Sequence, residues 1–450
     1  MYCSQGDPCH PGRDPICRFG YLETTSRLGL VLFVIYGLLG KSLSHSISPR
    51  VHHLFGNAEY QLFETDDPFR WLKTHSFQGI NITIPYKTTL LSVLDDVDSI
   101  VQKTGSLNCI VNRNGRLAGY NTDVDGFKQT LIHHQVAVQD KMVVLLGNGG
   151  AARSVRQSFL DLGAKKVVKL CRRILEKEEY LLSEAASFQA ADILVNTTPI
   201  GMYPNNDTGP LLSLDNFPAA EVVIDLIYNP LKTSFLQRAS ELGKKTINGL
   251  YLLVAQAKKA HELFLNTTLA DDDVTRVYQQ VNQELSNVIF VGLPLSGKSL
   301  YGKKLSEITH RTLIDTDDLI ENTTKMTIPE IFSCIGEAGF RQKEFEAVSS
   351  FYQQHGLIVS TGGGVILNDE LVRRLKQNGV IIYLDKDPQA IAARKIHNRP
   401  LLQDATNIFR LADTRKPLYQ KAADIQIKIH PNRHDQLSEI EEKLNEYFSH

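Results

Sequence analysis

VIFVGLPLSGKS, residues 288–299, decides how the chain is divided. Four apolar, mostly β-branched residues run straight into Gly292, and the turn closes on Gly297, Lys298 and Ser299. A buried strand, a glycine-rich turn and a helix opening at Lys298 make a phosphate-cradling loop. Glycine lets backbone N–H groups turn inward on phosphate oxygens, and the helix N-terminus adds its positive end. Lys298 meets the outer phosphates as a point charge, and the Ser299 hydroxyl reaches Mg²⁺. An ordinary glycine-rich turn does not call for the lysine and the serine together. Such a loop opens a nucleotide domain as its first strand, yet here only about a third of the chain follows it. A complete unit must precede it.

The chain has 450 residues, a length suited to two or three domains. It is 42% hydrophobic and 22% charged, with net charge −1 and no run of like charges, so nothing points to nucleic acid. Six scattered cysteines are no disulfide framework, which suggests a reducing, cytoplasmic setting. Cys3, Cys9, His10 and Cys17 fit no standard metal spacing. Residues 1–30, rich in Cys, Gly, Pro and Arg, read as a tail. LGLVLFVIYGLLG, residues 28–40, has the length of a signal-peptide core but is too short to span a bilayer. It reads as a buried first strand ending at Tyr36 to Gly40.

Three landmarks follow. GKSLSHSISPR is a polar loop rich in hydroxyls, with Pro49 suited to a helix's first turn. GINITIPYK is a short strand at 79–84 running to Pro85 and Lys87. LAGYNTDVDGF sets Asn121, Thr122 and Asp123 before a helix, where Asp123 alone would pass for a cap.

In order, these landmarks resemble the shikimate dehydrogenase family, through His45-Ser46-Ile47-Ser48-Pro49, Asn81 to Lys87 and Gly119 to Gly126. The resemblance covers roughly residues 33–285. It implies that Ser46 and Ser48 bind a substrate carboxylate, that Thr83, Asn108 and Asp123 hold ring hydroxyls, and that Lys87 with Asp123 is the catalytic pair. Hydride reduction of a ketone leaves an alkoxide that must gain a proton, and an ammonium beside a carboxylate can give it.

MVVLLGNGGAARSV, from residue 142, is a strand, a glycine turn and a helix, with a second strand at 167–170. That strand ends in Cys171, Arg172 and Arg173 with no acid, and two guanidinium groups favour the extra phosphate of NADP. The family usually has Asn-Arg-Thr there. The same likeness implies cofactor contacts from Gly147, Asn148, Gly149, Gly150, Ala151, Arg172, Arg173, Asn196, Thr197, Met202 and Gly249. It puts Tyr228 and Gln256 beside the substrate. Cys109 and Leu252 depart from the common threonine and methionine. Residues 266–285 read as a closing helix, with Ser286 and Asn287 as hinge.

Beyond the phosphate loop come Asp315-Thr316-Asp317, Arg341 with Glu344 three residues on, three glycines at 362–364, Arg399-Pro-Leu-Leu and Arg415-Lys-Pro-Leu-Tyr. In this order, residues 288–450 resemble shikimate kinase. The resemblance implies that Asp315 and Ser299 hold Mg²⁺ and that Asp317 meets the acceptor hydroxyl as base. Arg341 and Arg415 would clamp a carboxylate, with Glu344 orienting Arg341 and Gly363 and Gly364 nearby. ATP would lie against Gly292, Leu295, Ser296, Gly297, Lys298, Ser299, Leu300 and the lid residue Arg399. Leu295 stands where the family usually has glycine, which predicts altered loop packing.

The expected fold is α/β. A tail (1–30) and a substrate domain (31–124) precede a Rossmann NADP domain (125–265). A helix (266–285) returns to the substrate domain, and a P-loop NMP-kinase-like α/β/α domain (288–450) follows. The two resemblances name successive steps of aromatic amino-acid biosynthesis: reduction of 3-dehydroshikimate to shikimate with NADPH, then 3-phosphorylation of shikimate with MgATP. The expected partners are these small molecules, neither nucleic acid nor membrane, with a homodimer left open. Two alternatives are a quinate-type dehydrogenase fused to another small-molecule kinase, and a non-catalytic ligand-binding regulator.

Overall fold

Three α/β layers follow one another along the chain. The computed structural model describes residues 35–44, 46–206, 209, 211–270, 272–393, 406–430 and 433–449. The expected tail, the start of the first strand, His45 and Arg399 lie outside the described residues.

The first sheet holds β1 (Tyr36–Gly40), β2 (Tyr60–Glu64), β3 (Gly79–Ile82), β4 (Asp96–Val97), β5 (Cys109–Arg113) and β6 (Arg116–Tyr120). Its order is β2-β1-β3-β5-β6-β4, with β5 antiparallel to both neighbours. All five residues of β1 are buried, as expected of a strand covered on both faces. β3 ends at Ile82, two residues short of the expected end. The Tyr86 N–H turns back onto the Thr83 carbonyl, so the backbone there is already a turn.

The second sheet holds β7 (Met142–Leu146), β8 (Lys166–Cys171), β9 (Glu179–Leu181), β10 (Ile193–Asn196), β11 (Val222–Asp225) and β12 (Lys245–Ile247). Its order β12-β11-β10-β7-β8-β9, parallel throughout, is that of a dinucleotide-binding sheet. The crevice where the order reverses lies over the ends of β7 and β10.

Helix Leu250–Leu265 ties the first two layers together and packs closely on helix Thr122–His133. Gly126 makes this approach feasible: a Cβ there would stand 2.9 Å from the Gln256 backbone nitrogen. The closing helix begins only at Asp272, because Asn266, at φ 50°, ends the preceding one.

The third sheet holds β13 (Asn287–Val291), β14 (Leu313–Asp315), β15 (Ile358–Ser360), β16 (Gly379–Asp385) and β17 (Ile425–Lys428), parallel in the order β14-β15-β13-β16-β17. The expected hinge at Ser286 and Asn287 is not one. Both are buried, Asn287 opens β13, and its amide accepts from the Leu357 N–H and donates to the Gln354 carbonyl. Nor does the third layer hang free. Tyr203, from the second layer, is buried in the third layer's core with Ile289, Phe351 and Tyr352. Its hydroxyl donates to Gln377 Oε1 (2.8 Å) and accepts from Asn378 Nδ2 (3.1 Å).

Candidate active sites

The first site sits where the first two layers meet. Lys87 follows β3, and its ammonium lies 2.6 Å from Asp123 Oδ2. Asp123 is not the helix cap. Asn121 holds that position, with its amide spent on Thr104, Ser106 and Ser154, which leaves the Asp123 carboxylate to Lys87 and to Asn108 Nδ2 (2.8 Å). The Asn108 amide also meets Gln256 Oε1 at 3.3 Å, and its oxygen accepts from the Thr122 N–H. Five residues from four segments therefore form one partly buried polar network. Such a network holds its members in a single geometry.

Ser46 and Ser48 stand 3.2 Å apart, oxygen to oxygen, at the start of helix Ser48–Leu54. The Tyr228 hydroxyl faces Ser46 and the Ile47 N–H, and burial raises its pKa above that of free tyrosine. Ser44, Ser46, Ile47, Tyr228 and Asn229 line a cavity of 250 Å³ that Leu285 and His355 complete. Thr83 follows β3, its N–H on the Leu39 carbonyl.

The crevice of the second sheet abuts that network. Gly147 has φ 109°, and a Cβ on it would press on Thr197 and Thr198 at 2.8 Å. A Cβ on Gly150 would come 2.9 Å from Ser106 Oγ and 3.3 Å from Lys87 Cβ, so the helix Gly150–Asp161 starts directly against the lysine. Gly149 faces open space, and Ala151 follows in the helix. These features fit a pyrophosphate at a helix N-terminus. Asn196 does not reach outward. Its amide donates to Asp225 and Ile200 and accepts from Thr198, which sets the turn that carries Thr197 and Met202. Gly249 caps helix Leu250–Leu265, and its N–H donates to the Ile227 carbonyl. Arg172 and Arg173 are exposed, and neither makes an ion pair among the described residues. Glu179, on β9, escaped notice in the sequence. Its carboxylate accepts from Asn148 Nδ2 at 3.1 Å and lies 2.8 Å from Lys169. Burial raises its pKa, but Lys169, the Leu175 N–H and Asn148 bring it down to about 2.

The second site surrounds the phosphate loop. Gly292 and Gly297 have φ of 147° and 110°, and helix Lys298–Thr309 opens where the sequence puts it. Lys298 is buried and donates to the Gly292 and Leu293 carbonyls, both at 3.0 Å. Ser296 Oγ is buried with no hydrogen-bond partner among the described residues, in a loop whose chemistry suits phosphate oxygens. Leu295 has φ 64°, a region that favours glycine, and its carbonyl accepts from Lys386. Beside the loop, Leu295, Gly297, Leu300, Lys386, Lys416 and Lys428 help line a cavity of 630 Å³, roomy enough for a nucleotide. The three lysines were not singled out in the sequence, although Lys386 follows the end of β16 as strand-end ligands often do. Ser299 Oγ donates to Asp315 Oδ2 at 2.6 Å. Asp315 also caps helix Thr316–Thr324 through the Asp317 N–H.

Arg341 and Glu344 pair at 2.9 Å on helix Ile328–Ser349. Burial pushes the Glu344 carboxyl up, against the pull of Arg341. The glycine run leaves room for both. A Cβ on Gly364 would overlap the Arg341 guanidinium, and one on Gly362 would stand 2.9 Å from Glu344 and 3.0 Å from Asp317. The Gly363 carbonyl accepts from Arg415 Nη1 (2.9 Å) and from Tyr419, which the sequence did not mark.

Known families match two separate stretches of the chain. The family model "Shikimate dehydrogenase substrate binding domain" matches residues 38–110, and the model "Shikimate kinase" matches residues 294–445. The shikimate dehydrogenase (NADP(+)) of Clostridium beijerinckii is 37% identical over 260 residues, which span 54% of this chain and 95% of that protein. Its counterpart from a Geobacillus species is 36% identical over 277 residues, 56% of this chain and 98% of that one. Among solved structures, shikimate dehydrogenase 1 of Peptoclostridium difficile superposes with a TM-score of 0.51 at 34% identity, covering 56% of this chain and 98% of that chain. A chorismate mutase/shikimate 5-dehydrogenase fusion from Clostridium acetobutylicum gives 0.51 at 31% identity, covering 56% and 97%. The chain thus belongs to the shikimate dehydrogenase family and carries a shikimate kinase domain in its last third.

Proposed function

We propose that the protein is a bifunctional enzyme that reduces 3-dehydroshikimate to shikimate and then phosphorylates the shikimate 3-hydroxyl. The observation that carries this reading is the recurrence of one recognition problem in both halves. Hydroxyls of Ser46, Ser48 and Tyr228 converge in the first site, and Arg341 and Arg415 in the second. Both sets suit the carboxylate of one small ring acid. The proposed division is the one read from the sequence, with 31–124, 125–265 and 266–285 serving the dehydrogenase and 288–450 the kinase.

In the first half, the Lys87 ammonium donates its proton to the ketone oxygen as the alkoxide forms, and Asp123 holds it in place. Asn108 and Gln256 orient the ring hydroxyls, with Thr83 on the neighbouring turn. The glycine turn at 147–150 receives the NADP pyrophosphate, and Arg172 and Arg173 its 2′-phosphate. In the second half, Asp317 accepts the acceptor hydroxyl's proton and Lys298 steadies the phosphate charge. Ser299 and Asp315, joined at 2.6 Å, would hold Mg²⁺, which would offset the phosphate charge. When bound, NADPH supplies the hydride and MgATP the phosphoryl group. A cytoplasmic enzyme is the consistent setting, and no described helix is long and apolar enough to cross a membrane.

Initial rates with shikimate against quinate, and NADP against NAD, test the reading. Preference for shikimate with NADP, together with shikimate-dependent ADP release, supports it. Preference for quinate, or binding with no turnover in either half, overturns it.

A further inference from the structure

Two loops of the dehydrogenase half end up held by the kinase half. One runs from Met202 through Tyr203 to Asn206, and the other from Tyr228 to Lys232. They are joined to each other by the Tyr203 N–H, which donates to the Asn229 carbonyl at 3.0 Å. From the kinase half, His355 Nε2 meets Asn229 Oδ1 at 2.8 Å. Asn378 Oδ1 accepts from the Leu231 N–H at 3.0 Å, and the Gln377 carbonyl accepts from the Lys232 N–H at 2.8 Å. Gln377 Oε1 also takes the Tyr203 hydroxyl and the Asn206 amide, each at 2.8 Å. The residue beside Tyr228 and two more just beyond it are therefore fixed by groups that lie far later in the chain.

The location of His355 makes this more than a domain contact. Its imidazole forms part of the wall of the 250 Å³ cavity that Ser46 and Tyr228 open into. Its other ring nitrogen is 3.1 Å from the Leu285 carbonyl, so the ring is held from both sides. Rigid support of this kind decides whether a binding group stands in the productive place, since a misplacement of about 1 Å can cost about 100-fold.

We propose that the kinase half completes the dehydrogenase's substrate pocket, with His355 as the positioning residue that fixes Asn229 and, through it, Tyr228 against Ser46. This rests on the dehydrogenase reading above. The hydrogen bonds of His355 to Asn229 and the Leu285 carbonyl involve none of the residues proposed for the kinase reaction, so its removal should act on one activity only.

The test is steady-state kinetics of both reactions on the full-length protein. His355→Ala should raise the KM for 3-dehydroshikimate about 10-fold or more, leave kcat within about 3-fold, and leave the NADPH KM and the kinase kcat/KM within about 2-fold. His355→Gln keeps a donor toward Asn229 and should recover most of the loss. Asn229→Ala should reproduce the KM increase, and the double variant should add little to it. A 3-dehydroshikimate KM within about 2-fold of wild type in both His355→Ala and Asn229→Ala would overturn the proposal, as would an equal loss of both activities in His355→Ala and His355→Gln. Wild-type turnover in the same assay reports separately on the functional reading, so variants that match an active wild type refute the positioning role alone.

Discussion

The Lys87 ammonium and the Asp123 carboxylate are 2.6 Å apart, 36 residues from each other in the chain, and both side chains are mostly buried. The glycine-turn helix begins directly against this lysine. Lys87→Ala removes the proton donor and should lower dehydrogenase kcat by about 100- to 10,000-fold. The kinase rate should be unchanged, since Lys298 and its loop lie in another sheet. Parallel assays of the two reactions check this, and loss of both activities would argue against independent sites.

Lys298→Ala should do the reverse. The ammonium is buried within the phosphate loop, so its loss should cost most of the shikimate-dependent ADP formation and leave NADPH oxidation intact. An unchanged kinase rate would remove the loop from the mechanism.

Gly364→Ala offers a finer probe of the second site. The new methyl would collide with the Arg341 guanidinium. Displacing a carboxylate clamp should raise the shikimate KM of the kinase about 10-fold or more while the ATP KM stays near wild type. Separate titrations of the two substrates distinguish these outcomes.

Arg172 and Arg173 bear on cofactor choice. Replacing both with alanine should raise the NADPH KM about 10- to 100-fold, the range for lost charge-assisted bonds, and leave the NADH KM nearly unchanged. An equal rise for both cofactors would place the arginines on the pyrophosphate or nowhere near the ligand.

Acid should weaken the first layer. His52 is buried, stacked on Tyr60 with ring centres 3.8 Å apart. Burial, and then the nearby His261, pull its pKa down from 6.5 to about 3. The folded state therefore favours the neutral ring, and the unfolded chain takes up the proton first. The contribution is whole above pH 6.5 and is lost as pH falls toward 3. Between pH 7 and 5 the loss amounts to about 2 kcal/mol. His52→Phe cannot titrate, so its thermal midpoint should fall less over that interval than that of the wild type.

The features that could be read from the sequence are local ones. The phosphate loop, the glycine turn at 147–150 and the Arg341–Glu344 pair each lie within a short stretch whose backbone demands particular residues. The Leu295 departure was legible too, and its φ of 64° gives the physical reason glycine is usual there. Where reading failed, the determinants were distant or ambiguous. Ser286 and Asn287 look like linker by composition, yet Asn287 makes two backbone bonds across about 70 residues of chain, which only the folded sheet reveals. Gln377, Asn378 and His355 stand in no local motif. Their partners Tyr203 and Asn229 lie 174, 175 and 126 residues away, and no periodicity links them. Glu179 was missed for a related reason: it reaches the glycine loop from a neighbouring strand.

The most direct measurement gives purified full-length protein a limiting amount of 3-dehydroshikimate with excess NADPH and MgATP, and follows both cofactors. One NADPH should be oxidised and one ADP released per molecule of 3-dehydroshikimate, with ADP lagging behind NADPH. NADPH oxidation without ADP, ADP release that ignores the added 3-dehydroshikimate, or no consumption of either cofactor would contradict the two-step account.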